Sequence, residues 1–333
     1  MSPVYVLDKY YLGITVLVTT AYQLLGFAIA WTFQFDKITD FTGGSNFFIL
    51  ALLTLLLGNT FFARNIVASV LLMIWAVRIA GFLLFRVLKT GSDNRFDDIR
   101  SHFFKFLGQI LWVWTVSLPV IILNSPAVSD TSAGGSNPEF GTGRDIAGII
   151  LWGIGWLIET VADAQKFRYK QRKDSPRNKP VTVGIWKFSR HPPYFGEMLC
   201  WWGIWILCLS PATNGTLPSA SKAALYGSVV SPVFTFILLM FGSGIPPAEK
   251  PAAKKFFLMT NGENARDENA SAWQNYLEYR RSTSILIPLP PQFYRPLPEF
   301  LKQTVLLDFP FYRFDESKDG PAAIEESKLQ RNS

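Results

Sequence analysis

Long apolar runs separated by short polar segments fill the chain as far as residue 241. A run of about 18 residues with few charges is long enough to cross a bilayer as a helix. Seven runs predict such crossings: 11–33, 47–62, 66–88, 106–123, 146–161, 194–209 and 223–241. The run 47–62 gives the weakest signal, because it is short and the next run follows closely. The pattern therefore predicts an all-α polytopic membrane protein with about seven transmembrane helices.

The pattern changes after residue 241. From residue 245 onward the chain holds twelve Lys/Arg and twelve Asp/Glu, and the stretch 287–298 is rich in proline, which breaks helices. The last fifteen or so residues have the composition of a disordered, solvated end. We therefore divide the chain into N-terminal transmembrane helices at 1–65, a transmembrane core with a cytosolic tail helix at 66–288, and a Pro-rich and disordered C-terminal tail at 289–333.

Composition agrees with a membrane protein and argues against a metal site. The chain is 49% hydrophobic and only 17% charged, whereas about a quarter of an ordinary soluble domain is charged. The first apolar run is too long for the core of a cleaved signal peptide, and no cleavage site follows it. The chain has only two histidines, and Cys200 and Cys208 share one apolar run, so no metal is predicted.

Basic residues are distributed unevenly among the loops, and short Lys/Arg-rich loops face the cytosol. The segment 164–193 carries nine Lys/Arg and one Asp, a formal charge of +8, whereas 124–143 has no Lys or Arg. The basic connector 89–105 falls on the same side as the +8 segment. This pattern predicts that the C-terminus is cytosolic. The sequon at Asn214 is then lumenal, which favours the endoplasmic reticulum. The expected partner is the bilayer, and no nucleic acid is expected.

Several ionisable residues lie in or beside apolar runs. Arg78 lies near the middle of 66–88, where a charge costs about 2.5–3.5 kcal/mol, so we expect it to belong to a buried network. Glu159, Asp163, Lys166 and Lys170 follow one helix face. Such a face is either a set of solvated ion pairs or the wall of a site for an anionic ligand.

The stretch "SRHPPYFGE" at 189–197 opens the sixth apolar run. Pro192 and Pro193 suit the start of a helix, where a missing N–H costs little. Glu197 then lies in the first turn or so, where the helix dipole stabilises a carboxylate. Alternatively, Tyr194 is a proton donor in a buried cleft and Glu197 adjusts its acidity.

A second polar pattern follows the last apolar run. Tyr276 and Arg280 are four residues apart in "YLEYRR" and share a helix face. One interpretation is an amphipathic helix on an anionic leaflet. The other is a clamp that binds phosphate groups.

Four motifs together resemble the DUF1295 group of the steroid 5α-reductase C-terminal superfamily, over about residues 75–288. They are "WAVRIAGFLLFRVLKTGSDNRFDDIR", "ETVADAQKFRYK", "GIWKFSRHPPYFGE" and "SGIPPAEKPAAKK…YLEYRRSTSILIP". The "RHPPYFG" element alone is also similar to isoprenylcysteine carboxyl methyltransferases.

The resemblance implies a steroid-reductase-like or isoprenylcysteine-methyltransferase-like helix bundle in which 66–288 is the reductase core. It implies an NADPH-dependent oxidoreductase that transfers hydride to a carbon–carbon double bond of a lipid-like enone, such as a steroid or sterol. The implied catalytic residues are Tyr194 and Glu197. The implied cofactor-binding residues are Glu159, Asp163, Arg168, Lys170, Tyr276 and Arg280. Because the +8 segment leads into "SRHPPYFGE" from the cytosolic side, we also expect Arg190 and His191 to bind the cofactor, at the cytosolic rim of the site.

Two departures from the superfamily leave alternatives open. Many members have Asn where this chain has Pro193, and no early-helix Glu matches the one that steroid reductases use. The substrate and its double bond are therefore not specified, and neither is the oligomeric state. An S-adenosylmethionine-dependent membrane methyltransferase is one alternative function. A non-catalytic membrane protein is the other.

Overall fold

The computed structural model describes residues 4–33, 38–90, 103–172, 174–263 and 265–332, and the regular elements there are helices. The first seven are α1 (Leu12–Phe33), α2 (Ile38–Gly58), α3 (Ala63–Thr90), α4 (Phe103–Asn124), α5 (Pro126–Ser129), α6 (Gly143–Gln171) and α7 (Pro192–Cys208). The others are α8 (Ser210–Asn214), α9 (Ser219–Gly227), α10 (Val230–Phe241), α11 (Pro246–Asn261), α12 (Ala272–Ser282), α13 (Pro291–Tyr294), α14 (Glu299–Thr304) and α15 (Glu316–Asn332).

Within the described ranges, seven helical stretches are long and apolar enough to cross a membrane, which confirms the predicted fold class. They are Leu12–Thr32, Phe41–Gly58, Ala63–Phe82, Leu107–Asn124, Gly143–Gln171, Pro192–Asn214 and Ser219–Asn261. Helix α6 shows why an apolar run becomes a membrane helix. Ile146, Ile150, Leu157 and Val161 form an exposed apolar stripe at helical spacing, as lipid-facing residues do.

The chain folds into two compact units. The first comprises Met1–Ile154 and Leu199–Thr235, and the second comprises Gly155–Met198 and Phe236–Ser333. In the first unit α1 to α4 pack together around an aromatic cluster. The ring of Phe47 lies 5.2 Å from that of Trp75 and 4.9 Å from that of Trp112, and Trp75 lies 4.7 Å from Trp201. Trp201 therefore belongs to the core of this unit.

A buried ion pair also organises the first unit. The Arg64 guanidinium donates from Nε to Asp145 Oδ1 at 2.7 Å and from Nη2 to Asp145 Oδ2 at 2.8 Å. It also donates to the Asn137 side chain and to the carbonyls of Pro138 and Glu139, so all five of its N–H donors are used. Full pairing of this kind compensates for the burial of a charge.

The second unit contains the end of the chain, and here the structure differs from the prediction of a disordered tail. Residues Glu316–Asn332 form helix α15, which packs on α11. Ala323 is buried in the contact, Gly320 lies against the ring of Phe257, and Lys328 pairs with Glu263 at 3.0 Å. The polar composition indicates disorder only for an isolated segment. In this chain α11 supplies the surface against which the few apolar residues of α15 pack.

Candidate functional site

The "SRH" stretch before α7 is fixed by the backbone that follows α12. The N–H of Arg190 donates to the carbonyl of Ser284 at 2.8 Å, and the N–H of His191 donates to that of Ile285 at 3.1 Å. Ser189 and Ser284 form a parallel bridge. Two motifs that lie almost a hundred residues apart in the sequence are therefore adjacent in the fold.

Helix α7 begins at Pro192, as the sequence predicts, and carries Tyr194 and Glu197 in its first two turns. Its position beside α6 depends on Gly196. A Cβ atom at residue 196 would lie 2.6 Å from the carbonyl oxygen of Gly155 and 2.9 Å from the backbone nitrogen of Glu159. Because no side chain separates them, the two helix backbones are in direct contact at this point.

A cluster of buried charges lies at the start of α7. Arg190 Nη2 donates to Asp308 Oδ1 at 2.9 Å, and Arg190 Nε lies 3.4 Å from Glu249 Oε1. The same Glu249 oxygen is 2.8 Å from His191 Nε2. Each of these four residues is less than 10% exposed. One arginine therefore joins two carboxylates that come from different parts of the chain.

Tyrosines complete the cluster. Tyr294 donates its hydroxyl hydrogen to Asp308 Oδ2 at 3.1 Å, and Tyr276 donates to the backbone carbonyl of Glu249 at 3.4 Å. Burial raises the pKa of both phenols, and the neighbouring carboxylates raise it further. Both hydroxyls therefore stay protonated at neutral pH and act as hydrogen-bond donors.

Burial lowers the pKa of His191 below its ordinary value of 6.5, and the hydrogen bond with Glu249 only partly opposes this effect. The imidazole is therefore neutral at neutral pH and donates its Nε2 hydrogen to Glu249. For Arg190, burial acts to lower the pKa, but the Glu249 and Asp308 carboxylates outweigh it and raise the pKa above its ordinary value. Arg190 is thus a permanent cation.

Arg280 brings the second guanidinium to the cluster. Its backbone carbonyl accepts a hydrogen bond from Arg190 Nη1 at 3.5 Å, and its side chain interacts electrostatically with Glu249. Arg280 Nε is buried and makes no hydrogen bond within the described residues. Two arginines and two carboxylates balance in charge, but one buried donor of Arg280 remains for a ligand.

All ten site residues predicted from the sequence lie in the second compact unit. Four of the ten, Arg190, His191, Tyr276 and Arg280, are joined through their shared neighbour Glu249. Tyr194 adjoins them, because its ring stacks on that of His191 with centroids 5.3 Å apart and planes 9° apart. The remaining members are Glu159, which is buried on α6, Asp163 and Glu197, which are half-buried, and Arg168 and Lys170, which are exposed in the last turn of α6.

Three further charged residues lie outside the ten. Glu249 and Asp308 belong to the cluster of buried charges, whereas Arg78 lies in the first compact unit. Glu249 is in the "GIPPAEK" motif and is not one of the ten, although the methyltransferase alternative assigns a role to the Glu249–Lys250 region. Asp308 is in the tail that the sequence predicts to be disordered. Arg78 is half-buried on α3 in the first unit, with its Nε out of contact with solvent. Arg95 and the side chain of Arg86, both in the upstream motif, lie outside the described residues.

Comparison with known families gives a match over most of the chain. A family model described as "Protein of unknown function (DUF1295)" matches residues 26–261. The chain belongs to the DUF1295 family. The DUF1295 match begins upstream of the four motifs and ends before α12, so Tyr276, Arg280 and Asp308 lie beyond it. No curated protein and no solved structure matches this DUF1295 chain.

Proposed function

We propose that this DUF1295 protein is a membrane reductase that uses NADPH to reduce a carbon–carbon double bond of a lipid-like enone. Support comes from the four sequence motifs and from the gathering of the ten predicted site residues in one compact unit. The observation that carries the proposal is Arg280, a cation beside Glu249 and Arg190 whose buried Nε makes no hydrogen bond within the described residues. An anionic ligand would use this donor.

The residues present fit NADPH unequally. Its phosphates require cations, and Arg280 together with the exposed Arg168 and Lys170 is suited to supply them. Arg190 fits less well, because two carboxylates already neutralise it. We therefore propose that Arg190 holds the start of α7 in place and that Arg280 binds phosphate.

The chemical role proposed for Tyr194 depends on its neighbours. When bound, the cofactor supplies the hydride. The hydrogen bond between Glu249 and His191 fixes the imidazole, and the stacked imidazole restricts rotation of the Tyr194 ring. Glu197 follows Tyr194 by three residues and so lies on the same helix face. The proposed role of Tyr194 is to donate a proton or hydrogen bond to the enone oxygen, where charge develops.

One observation favours methyl transfer as a second candidate. Glu249 contacts both Arg190 and His191 of "RHPPYFG", the element that is similar to isoprenylcysteine carboxyl methyltransferases. A role for this contact in binding S-adenosylmethionine would not require a phosphate-binding arginine. The two candidates therefore differ in the ligand that they predict.

The test is ligand-dependent thermal unfolding of the detergent-solubilised full chain with NADPH, NADH or S-adenosylmethionine. We expect NADPH to raise the unfolding midpoint most. A shift with S-adenosylmethionine alone would support methyl transfer instead. A shift with none of the three would favour a non-catalytic protein.

Variants at residues 280 and 281 sharpen this test. Arg280→Ala is expected to weaken NADPH binding about tenfold or more, with a smaller loss for NADH, because it removes a charge-assisted contact to phosphate. Arg280→Lys keeps the charge and should retain part of the affinity. Arg281→Ala is the matched control, because Arg281 is the exposed neighbour on the same helix. An equal loss of affinity for NADPH and NADH would show that Arg280 does not contact the 2′-phosphate.

A further inference from the structure

Residues 291–313, which we call the aromatic segment, expose several large apolar side chains and bury the charged side chain of Lys302. Phe293 is 64% exposed, Phe300 is 71% exposed and Val305 is 62% exposed, whereas Lys302 is only 3% exposed. A short helix that rests on a protein in water has the opposite arrangement, with its lysine outside. The exposed face of the aromatic segment is therefore suited to an apolar neighbour.

The contacts of Lys302 fix this orientation. Its ammonium group lies 3.5 Å from the carbonyl oxygen of Arg281 and 3.4 Å from that of Arg295, and 4.8 Å from the ring centre of Tyr294. It also pairs with Glu299 at 3.5 Å. Since a buried ammonium needs such partners, α14 cannot rotate to cover Phe300 without leaving a charge unpaired.

The aromatic segment is attached to the end of an apolar membrane helix. Phe241 is the last residue of α10, which contains no charged residue and lies in a candidate membrane span. The rings of Phe309 and Phe311 stack on Phe241 with centroids 5.8 and 6.0 Å away. Tyr312 donates its hydroxyl hydrogen to the carbonyl of Met240 at 2.6 Å. These contacts hold Phe309, Phe311 and Tyr312 against the last turn of α10.

We propose that the aromatic segment is an interfacial anchor that inserts Phe293, Phe300, Val305 and Phe311 into the surface of the bilayer leaflet where α10 ends. The partner is the lipid surface, since the aromatic segment packs directly on the end of a membrane helix and aromatic side chains favour this depth. This role is independent of the proposed enzymatic activity.

The ion pairs around the aromatic segment indicate which force binds it. Arg295 pairs with Glu278 at 3.1 Å, and Arg313 pairs with Glu299 at 2.7 Å. Both arginines of the aromatic segment are thus paired with carboxylates of the protein itself. Insertion therefore depends on apolar side chains, and it requires neither anionic lipid nor low salt.

The test is the environment of a polarity-sensitive fluorophore attached to single introduced cysteines in the full chain. Phe300→Cys and Phe293→Cys report on the exposed face, and Lys318→Cys is the control, because Lys318 is 82% exposed on the polar helix α15. The native Cys200 and Cys208 are buried, so labelling favours the introduced thiol. The labelled proteins are reconstituted in phosphatidylcholine vesicles with and without phosphatidylcholine brominated in its acyl chains.

We expect brominated lipid to lower the fluorescence at residues 293 and 300 at least about twofold, with little change at residue 318. The quenching should persist at high salt. Equal, weak quenching at all three positions would overturn the proposal, because the exposed face would then lie in water. Quenching that is lost at high salt would overturn insertion by apolar side chains. A fluorophore that reports an apolar environment but is not quenched by brominated lipid would also overturn the proposal. It would indicate that a second copy of the chain covers the exposed face.

Discussion

At the residue scale, the position of Arg190 depends on carboxylates from two distant parts of the sequence. Glu249 lies 58 residues after the neighbouring His191, and Asp308 lies 118 residues after Arg190. Two carboxylates compensate the buried charge of Arg190, whereas removal of one of them leaves part of that charge uncompensated. The stability of the second unit is therefore sensitive to either carboxylate.

The first prediction concerns Asp308→Ala. We expect the change to destabilise the protein by about 2–5 kcal/mol, because Arg190 loses its shortest ion-pair contact and Tyr294 loses its acceptor. Chemical unfolding of the detergent-solubilised protein measures the effect. Asp267→Ala is the control, since Asp267 is exposed. Similar unfolding curves for the two variants would show that the Arg190–Asp308 pair contributes nothing.

The second prediction concerns pH and His191. Because the folded protein holds His191 at a pKa below 6.5, the unfolded chain takes up this proton first as pH falls. The contribution of neutral His191 to the free energy of unfolding is fully present above about pH 6.5. It is lost as pH falls from there toward the lowered pKa of the folded state. We expect the unfolding midpoint to decrease between about pH 7.5 and 5.5, and less steeply in His191→Gln. His102→Gln replaces the only other histidine and serves as the comparison. An unchanged slope in His191→Gln would contradict the prediction.

The residues of the cluster were only partly predictable. Arg190, His191, Tyr276 and Arg280 lie in compact motifs whose residue types and spacing are visible in one stretch of sequence. Asp308 is a single acidic residue in the C-terminal tail, and nothing near it in the sequence indicates a partner. Pairing over such separations is decided by tertiary packing, which local pattern does not encode.

At the scale of the elements, the membrane helices follow from apolar length, because a spanning helix must be apolar along its whole length. The short helices α13 and α14 and the terminal helix α15 do not follow from composition. Their order depends on buried contacts such as Tyr294 at the Asp308 carboxylate and Ala323 on α11. The close approach of α6 and α7 depends on a pair of glycines, because the Gly155 backbone contacts Gly196.

The third prediction tests this helix contact. Gly196→Ala places a methyl group 2.6 Å from the carbonyl oxygen of Gly155. Because the atom in contact belongs to a helix backbone, it cannot move aside as the end of a flexible side chain can. We expect a loss of about 1–3 kcal/mol, measured by unfolding of the solubilised protein. Gly153→Ala is the matched control on α6, because a Cβ there meets nothing within 4 Å. Equal stability of the two variants would show that α6 and α7 can separate without cost.

At the scale of the whole molecule, the seven apolar helices found in the described residues are those of an integral, multi-pass membrane protein. The orientation of those helices rests on the loop charges alone. The +8 segment at 164–193 and the 124–143 loop, which has no Lys or Arg, differ strongly enough to predict opposite sides.

The fourth prediction tests this orientation with a membrane-impermeant maleimide on sealed vesicles of known sidedness. Thr131→Cys reports on the loop before α6 and Pro176→Cys on the loop after it, and both positions are exposed. We expect the reagent to label Pro176→Cys from the cytosolic side only and Thr131→Cys from the opposite side only. Labelling of both from one side would contradict the predicted number of crossings, and labelling from the two exchanged sides would reverse the charge-based topology.

The distance in sequence between Arg190 and Asp308 also orders events during synthesis. The ion pair closes a loop of 118 residues, so α7 is made and available for insertion long before Asp308 is made. Until Asp308 is made, burial of Arg190 would leave its charge without one partner and would cost several kcal/mol. The Arg190 guanidinium therefore stays in contact with water during this time. The start of α7 therefore reaches its final place late, and the aromatic segment that carries Asp308 completes the biogenesis of the site.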